Sequence, residues 1–171
     1  KLVDLTHGLH PEIPSWGGGC GFHADIKLDY EKGGFRVQQI KMHAGISTHM
    51  DAPSHCIPGA VSIADLDINN FLAPARIIDT SLKRTPDYTV SLEDILAHEK
   101  QYGSIAENSL VFFYTGWDDF WNNPSAYRNN YVFPKVGKDA CSYLLQKNIV
   151  GIGIDTLSPD RPADGFDVHQ M

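Results

Sequence analysis

Two apolar runs constrain this chain more than anything else in it. Leu110-Val111-Phe112-Phe113-Tyr114 and Ile149-Val150-Gly151-Ile152-Gly153-Ile154-Asp155-Thr156 are short, continuous and rich in aromatic or β-branched residues, the pattern of strands covered on both faces. The second follows a segment, about Gly137 to Lys147, in which Val136, Ala140, Cys141, Leu144 and Leu145 make the stripe of an amphipathic helix that Asn148 stops. A helix feeding an apolar strand is the grammar of an α/β sheet. Ala75 to Asp79 reads as a further strand, and Ser91 caps a helix that carries Leu92, Ile95 and Leu96 on one face and ends near Gly103. Upstream, Ala24 to Tyr30 and Phe35 to Met42 read as strands joined by the turn Glu31-Lys32-Gly33-Gly34, and Leu2 to Thr6 alternates like a short strand. Asn122 to Val132 reads as a loop.

The second strand of the hairpin runs directly into His43-Ala44-Gly45-Ile46-Ser47-Thr48-His49-Met50-Asp51-Ala52-Pro53-Ser54-His55, three imidazoles and a carboxylate in thirteen residues. On an extended backbone His49 and Asp51 leave the same face and can grip one ion. Pro53 forces a turn that can bring His55 back over them. Nitrogen and oxygen donors of this kind suit zinc first and manganese second, and a loosely spread set leaves coordination room for water, as catalytic sites do. His55 is then the proton shuttle. Cys56 reads as a small buried hydrophobe, His7 and His10 as turn histidines and His98 as a solvated helix residue. Trp16, in Pro14-Ser15-Trp16-Gly17-Gly18-Gly19, serves equally well as a loop residue closing the core or as a flat face for a ligand. Asp155, at the end of the last apolar strand, suits a cap for the next turn or a place in the chemistry.

A chain of 171 residues suits one domain burying roughly 70% of its unfolded surface. Fourteen Lys and Arg against 21 Asp and Glu give a formal charge of -7 with no basic cluster, which argues against nucleic acid and anionic membranes as partners. Cys20, Cys56 and Cys141 are odd in number and widely spaced, hence free thiols expected in a reducing, cytoplasmic compartment, with a removed leader left open. No apolar run approaches membrane length.

His49-Met50-Asp51-Ala52-Pro53-Ser54-His55, with Gly45 and Thr48 ahead of it, resembles the signature of the cyclase-like metal-dependent hydrolases, the family of bacterial kynurenine formamidase and isatin hydrolase. The Gly-x-Gly-x-Asp strand at 151–155, the Thr115-Gly116-Trp117 segment and the order of segments from Leu2 to His169 are similar as well. One departure stands out: where the family has its first ligand histidine, this chain has Gly45. Either His43 serves through a short insertion, or the site has one ligand fewer. The resemblance implies a swivelling β/β/α fold with a mixed sheet or barrel-like core and flanking helices, and metal ligands at His49, Asp51, His169 and, if it reaches, His43. It implies Trp16 lining the substrate pocket, and Asp51 bridging if two cations are bound. The implied reaction is hydrolysis of an amide C–N bond in an N-formyl aromatic amide such as formylkynurenine, as in tryptophan catabolism, or in a cyclic amide. Family members form homo-dimers or tetramers. A family Glu about a dozen residues past His169 has no counterpart here, as in a single domain truncated at its C-terminus. The alternative is a member of the fold that binds metal or a small ligand without turnover.

Overall fold

The computed structural model describes residues 4–171. Its elements run β1 (Phe22–Leu28), α1 (Tyr30–Gly33), β2 (Val37–Met42), β3 (Ala75–Asp79), β4 (Thr89–Val90), α2 (Leu92–Tyr102), β5 (Leu110–Tyr114), α3 (Pro124–Arg128), β6 (Lys135–Val136), α4 (Lys138–Gln146) and β7 (Gly151–Ile154), with short 3-10 turns in the connections, three of them between β2 and β3, and one after β7. Of the expected strand Leu2 to Thr6, the first two residues lie outside the described ones. The remainder pairs with no strand; the Asp4 carboxylate instead accepts from the Thr6 amide at 2.9 Å and the Thr6 hydroxyl at 2.6 Å, a local bond that competes with a ladder.

β3, β5 and β7 form a parallel sheet in the order β3-β5-β7, with Ile77 opposite Phe112 and Phe112 opposite Gly153. The chain steps from β3 to β5 to β7 in one direction across the sheet, and α2 and α4 pack together on one face; right-handed crossovers produce that arrangement. There Ile78, Val111 and Phe113 pack with Ile95, Ala140, Cys141 and Leu144, each large side chain contributing about 1.5–3 kcal/mol. The other face is open: Ile77 is 56% and Phe112 36% exposed. The apolar run of β5 is therefore covered on one side only, contrary to the two-sided burial its composition suggests. Gly153 permits this arrangement, since a Cβ there would stand 2.5 Å from Cδ1 of the Phe112 ring. β1 and β2 pair antiparallel from Phe22 opposite Met42, and β4 pairs parallel with β6. The hairpin connection is one helical turn, α1, capped by Asp29 and released by Gly34 at φ 73. The three sheets make a mixed α/β domain with no closed barrel among the described residues. No helix among them is long and apolar enough to cross a membrane, and the three cysteines are free.

The two core helices are tied by one carboxylate. Glu99 of α2 accepts from Tyr143 Oη at 2.5 Å, the Ile105 amide at 2.7 Å and Lys147 Nζ at 2.8 Å. Burial opposes its charge, yet these donors together hold it down to about 2. A carboxylate depressed in the folded state stabilises fully above its unfolded value, near 4.3, and loses that contribution as pH falls toward the folded value. Glu99→Gln is therefore expected to lower the denaturant midpoint most at neutral pH. The gap from the parent protein should narrow between roughly pH 4 and 2, and a gap that widened over that range would refute the assignment. One expectation fails on α2: His98 is half-buried rather than solvated, with Nε2 unpartnered, and burial followed by the Arg76 charge lowers its pKa.

Candidate metal centre

β2 ends at Met42, and residues 43–52 continue without regular structure. What fixes this stretch is Ile46, buried with Ile13 and Phe22 beside Trp121. At Ser47 the backbone enters the left-handed region, φ 60, an uncommon conformation for a residue with a side chain. Here it is held from outside: the Ser47 hydroxyl donates to the His7 carbonyl at 3.2 Å, and the His7 amide donates to Thr48 Oγ1 at 3.1 Å. The His7 ring stacks on Trp121 at 3.7 Å. His7 is thus a bracing residue for the histidine-rich loop.

The turn at Ser47 aims its carbonyl at His49, which donates Nδ1–H to it at 2.8 Å. A carbonyl can only accept, so the proton sits on Nδ1 and the lone pair on Nε2. That nitrogen lies 3.6 Å from Asp51 Oδ2. Pro53 opens the 3-10 turn Pro53–His55, which brings His55 Nδ1 to 3.8 Å from Asp51 Oδ1. These spacings are too long for hydrogen bonds. They approach the separation of about 3.3 Å between two ligands placed ~2.0–2.1 Å from one tetrahedral ion. His49 and His55 thus each stand beside Asp51, one on either of its oxygens.

His169 arrives from the far end of the chain. Its Nδ1 donates to Asp160 Oδ2 at 2.6 Å, and the same buried carboxylate takes the His169 amide at 2.9 Å and the Val168 amide at 3.1 Å. A histidine whose Nδ1–H is bound to a carboxylate presents Nε2 as a ligand in fixed orientation. The His169 and His55 rings lie 5.9 Å apart, and His55, Cys56 and His169 offer ligand atoms all within 4.8 Å of one another. Cys56 is half-buried rather than core. Burial, with the Asp51 and Asp160 charges, pushes its thiol up.

His43 does not join this group. Its amide bonds the Gly21 carbonyl at 3.0 Å, extending the hairpin, and its exposed ring lies beside Gly21. A Cβ at Gly45 would stand 3.3 Å from His49 Nε2, so position 45 faces the site and glycine leaves that side of His49 open. Trp16 is 40% exposed and belongs to an aromatic wall. Its ring lies 4.7 Å from Tyr131 and 6.2 Å from Phe166, and Phe166 lies 6.0 Å from His169. Asp155 takes the other expected course, capping the next turn. It accepts from the Thr115 hydroxyl at 2.6 Å and from the Thr115 and Trp117 amides at 3.0 Å each. The cluster beyond it, Trp117 with Tyr127 and Phe133, is core.

Sequence reasoning missed Asp160, Phe166 and Tyr131. No spacing rule marks them, and the only available signal was that a ligand histidine wants a carboxylate behind it. Asp160→Asn removes that charge while keeping the shape, and is expected to weaken cation affinity by about 10–100-fold. Competition against a chromophoric chelator measures it, and unchanged affinity would remove His169 from the ligand set.

The chain matches the Cyclase family model over residues 3–161. Kynurenine formamidase of Bacillus cytotoxicus is 28% identical over 179 residues, an alignment covering all of this chain and 77% of that protein. Isatin hydrolase of Roseibium aggregatum is 34% identical over 144 residues, 75% of this chain and 54% of its own length. A solved isatin hydrolase bound to the product analogue thioisatinate superposes with a TM-score of 0.86 at 26% identity, covering 98% of this chain and 73% of the other.

Proposed function

The chain belongs to the cyclase family and is an amidohydrolase, and on that footing we propose that it cleaves the C–N bond of an N-formyl aromatic amide or a cyclic amide with a divalent cation held by His49, Asp51 and His169. The carrying observation is the continuous array from His49 through Asp51 to His55, 3.6 and then 3.8 Å between partners. The donors fit a cation in kind, since His49 and His169 have their Nδ1 protons committed to the Ser47 carbonyl and to Asp160 and so offer Nε2; His49 stands beside Asp51, and His169 stands beside His55 and Cys56. Nitrogen and carboxylate donors favour zinc, then manganese. When bound, the cation supplies Lewis acidity to the carbonyl and makes water a nucleophile near neutral pH.

The remaining steps belong to the chain's own residues. His55, beside Asp51, takes the proton from the attacking water and delivers it to the departing nitrogen. Trp16, Tyr131 and Phe166 offer rings against which an aromatic amide can lie, holding its carbonyl toward His169. A second subunit fits this reading, since Ile26, Val37 and Ile40 of the hairpin are exposed and suit burial against another copy.

The test is hydrolysis of N-formyl aromatic amides and isatin-like lactams by the metal-loaded protein, with and without chelator. Chelator-sensitive turnover restored by zinc or manganese is expected. Stoichiometric metal with no turnover on any of them would favour a binding protein on the same fold, the reading that Gly45 supports.

A further inference from the structure

A cleft of about 590 Å³ lies between β3 and α2 and shares no residue with the metal centre. Its size falls within the roughly 300–1,000 Å³ of small-molecule sites. On one side runs β3, which pairs only with β5 and leaves its other border open. On the other, Asp94, Ala97, His98, Gln101 and Tyr102 recur every three or four residues and so turn one face of α2 into the cleft. Alternation along β3 puts Arg76 on the same side as buried Ile78. The Arg76 side chain is half-buried and has no ion-pair partner among the described residues. His98 stands close enough to feel its charge, and the buried Nε2 of His98 has no hydrogen-bond partner. The Tyr102 ring lies 4.9 Å from the His98 ring, and its hydroxyl, which accepts from Gln101 at 2.9 Å, keeps its own proton to give. Every nearby carboxylate is already committed. Asp94 accepts from Lys83, Tyr88 and Ser91, Asp79 from the Ser81 amide and hydroxyl, and Glu99, next to His98, from Tyr143 and Lys147. A guanidinium and an imidazole therefore stand side by side with no acceptor between them, an arrangement that a buried polar cluster rarely leaves unfilled.

We propose that the end of this cleft formed by Arg76, His98 and Tyr102 binds a small aromatic carboxylate. The guanidinium is a planar fork matched to the two oxygens of a carboxylate, and His98 Nε2 can carry a proton to donate beside it. The Tyr102 hydroxyl supplies a further donor. The C-terminal end of α2 works against an anion here, but with a fractional charge set against the full one on Arg76. An aromatic body is specified by the His98 and Tyr102 rings, tilted at 45° to each other, with Ala97 beside them on the same face of the helix. The assignment does not depend on the hydrolase reading.

The probe is benzoate, added at constant ionic strength to the whole zinc-loaded protein while the His98 ring protons are followed by NMR, their signals assigned by loss in His98→Asn. A saturable shift of those signals is expected, together with a rise in the pKa of His98, because a carboxylate beside the ring favours its charged form. Benzamide, the same ring without the charge, should leave the signals in place. Arg76→Gln should weaken benzoate binding by at least about 10-fold, the worth of a hydrogen bond to a charged group, with helical circular dichroism like the parent's. Should that variant not fold, Arg76→Lys serves in its place. It keeps the charge but loses the fork, and should also bind benzoate more weakly than the parent. Formate, which brings the charge without the ring, should need a higher concentration than benzoate. A carboxylate captured at the metal centre instead would leave the His98 signals unmoved and would bind the Arg76 variants as tightly as the parent, and either result overturns the proposal. So does the lack of a saturable shift at any benzoate concentration, or an equal response to benzamide. Formate matching benzoate would overturn the aromatic class.

Discussion

His55→Ala is expected to lower kcat/KM for an N-formyl aromatic amide by about 10²–10⁴-fold, the usual worth of a positioned acid–base group, with cation content unchanged. The side chain is 56% exposed and stands on the last residue of a 3-10 turn, so its removal opens no cavity and leaves the fold intact. It makes only a long approach to Asp51, 3.8 Å, which would be weak service for a structural histidine and is suitable for one that must gain and lose a proton. Steady-state kinetics on samples whose metal content is measured in parallel provides the check. Full activity in a metal-replete alanine variant would leave the proton without a carrier and would end this assignment.

Asp51→Asn is expected to fail earlier, at cation capture. Asp51 stands between His49 and His55, within 3.6 and 3.8 Å of their ring nitrogens, and is the one charged donor in the array. Asparagine keeps the shape but removes the negative charge, leaving a divalent ion with neutral imidazoles alone. Affinity should fall by at least about 100-fold, the upper end of what loss of a merely supporting partner costs, and turnover at limiting metal should fall with it. Isothermal titration with zinc, in the presence of a competing chelator, measures the loss. The two variants separate cleanly: one keeps its metal and stalls, the other is starved of it. An Asn variant that still bound zinc stoichiometrically and tightly would show that the ion rests elsewhere.

Much of the core was legible in the sequence because its signals are local. Ala75–Asp79, Leu110–Tyr114 and the Ser91-capped helix form where expected, each specified by a run of five to a dozen residues whose periodicity or capping box acts on near neighbours. Asn148, at φ 53, ends α4 as anticipated. The two-residue spacing of His49 and Asp51 likewise survived, although the segment is held by Ile46 and Ser47 rather than by a strand ladder. What the sequence concealed depends on distant partners. The open face of β5 follows from which side both crossovers take, and composition at Phe112 cannot reveal that. Cys56 looks like a filler until His169 is placed opposite it, and Asp160 looks like a turn residue until His169 turns its ring toward it. The residue at 45 was recognised as a departure, but only the direction of its missing Cβ, toward His49 Nε2, established that the loss falls on the site itself.

The clasp between His7 and the Ser47–Thr48 pair spans some forty positions, 40 and 41 in its two bonds, and the approach of His55 to His169 spans far more. Closing loops of that size comes late and slowly compared with forming a helix or a neighbouring strand pair. Metal uptake after dilution from denaturant should consequently lag behind recovery of helical circular dichroism, and its time course becomes a clock for the final stage of folding.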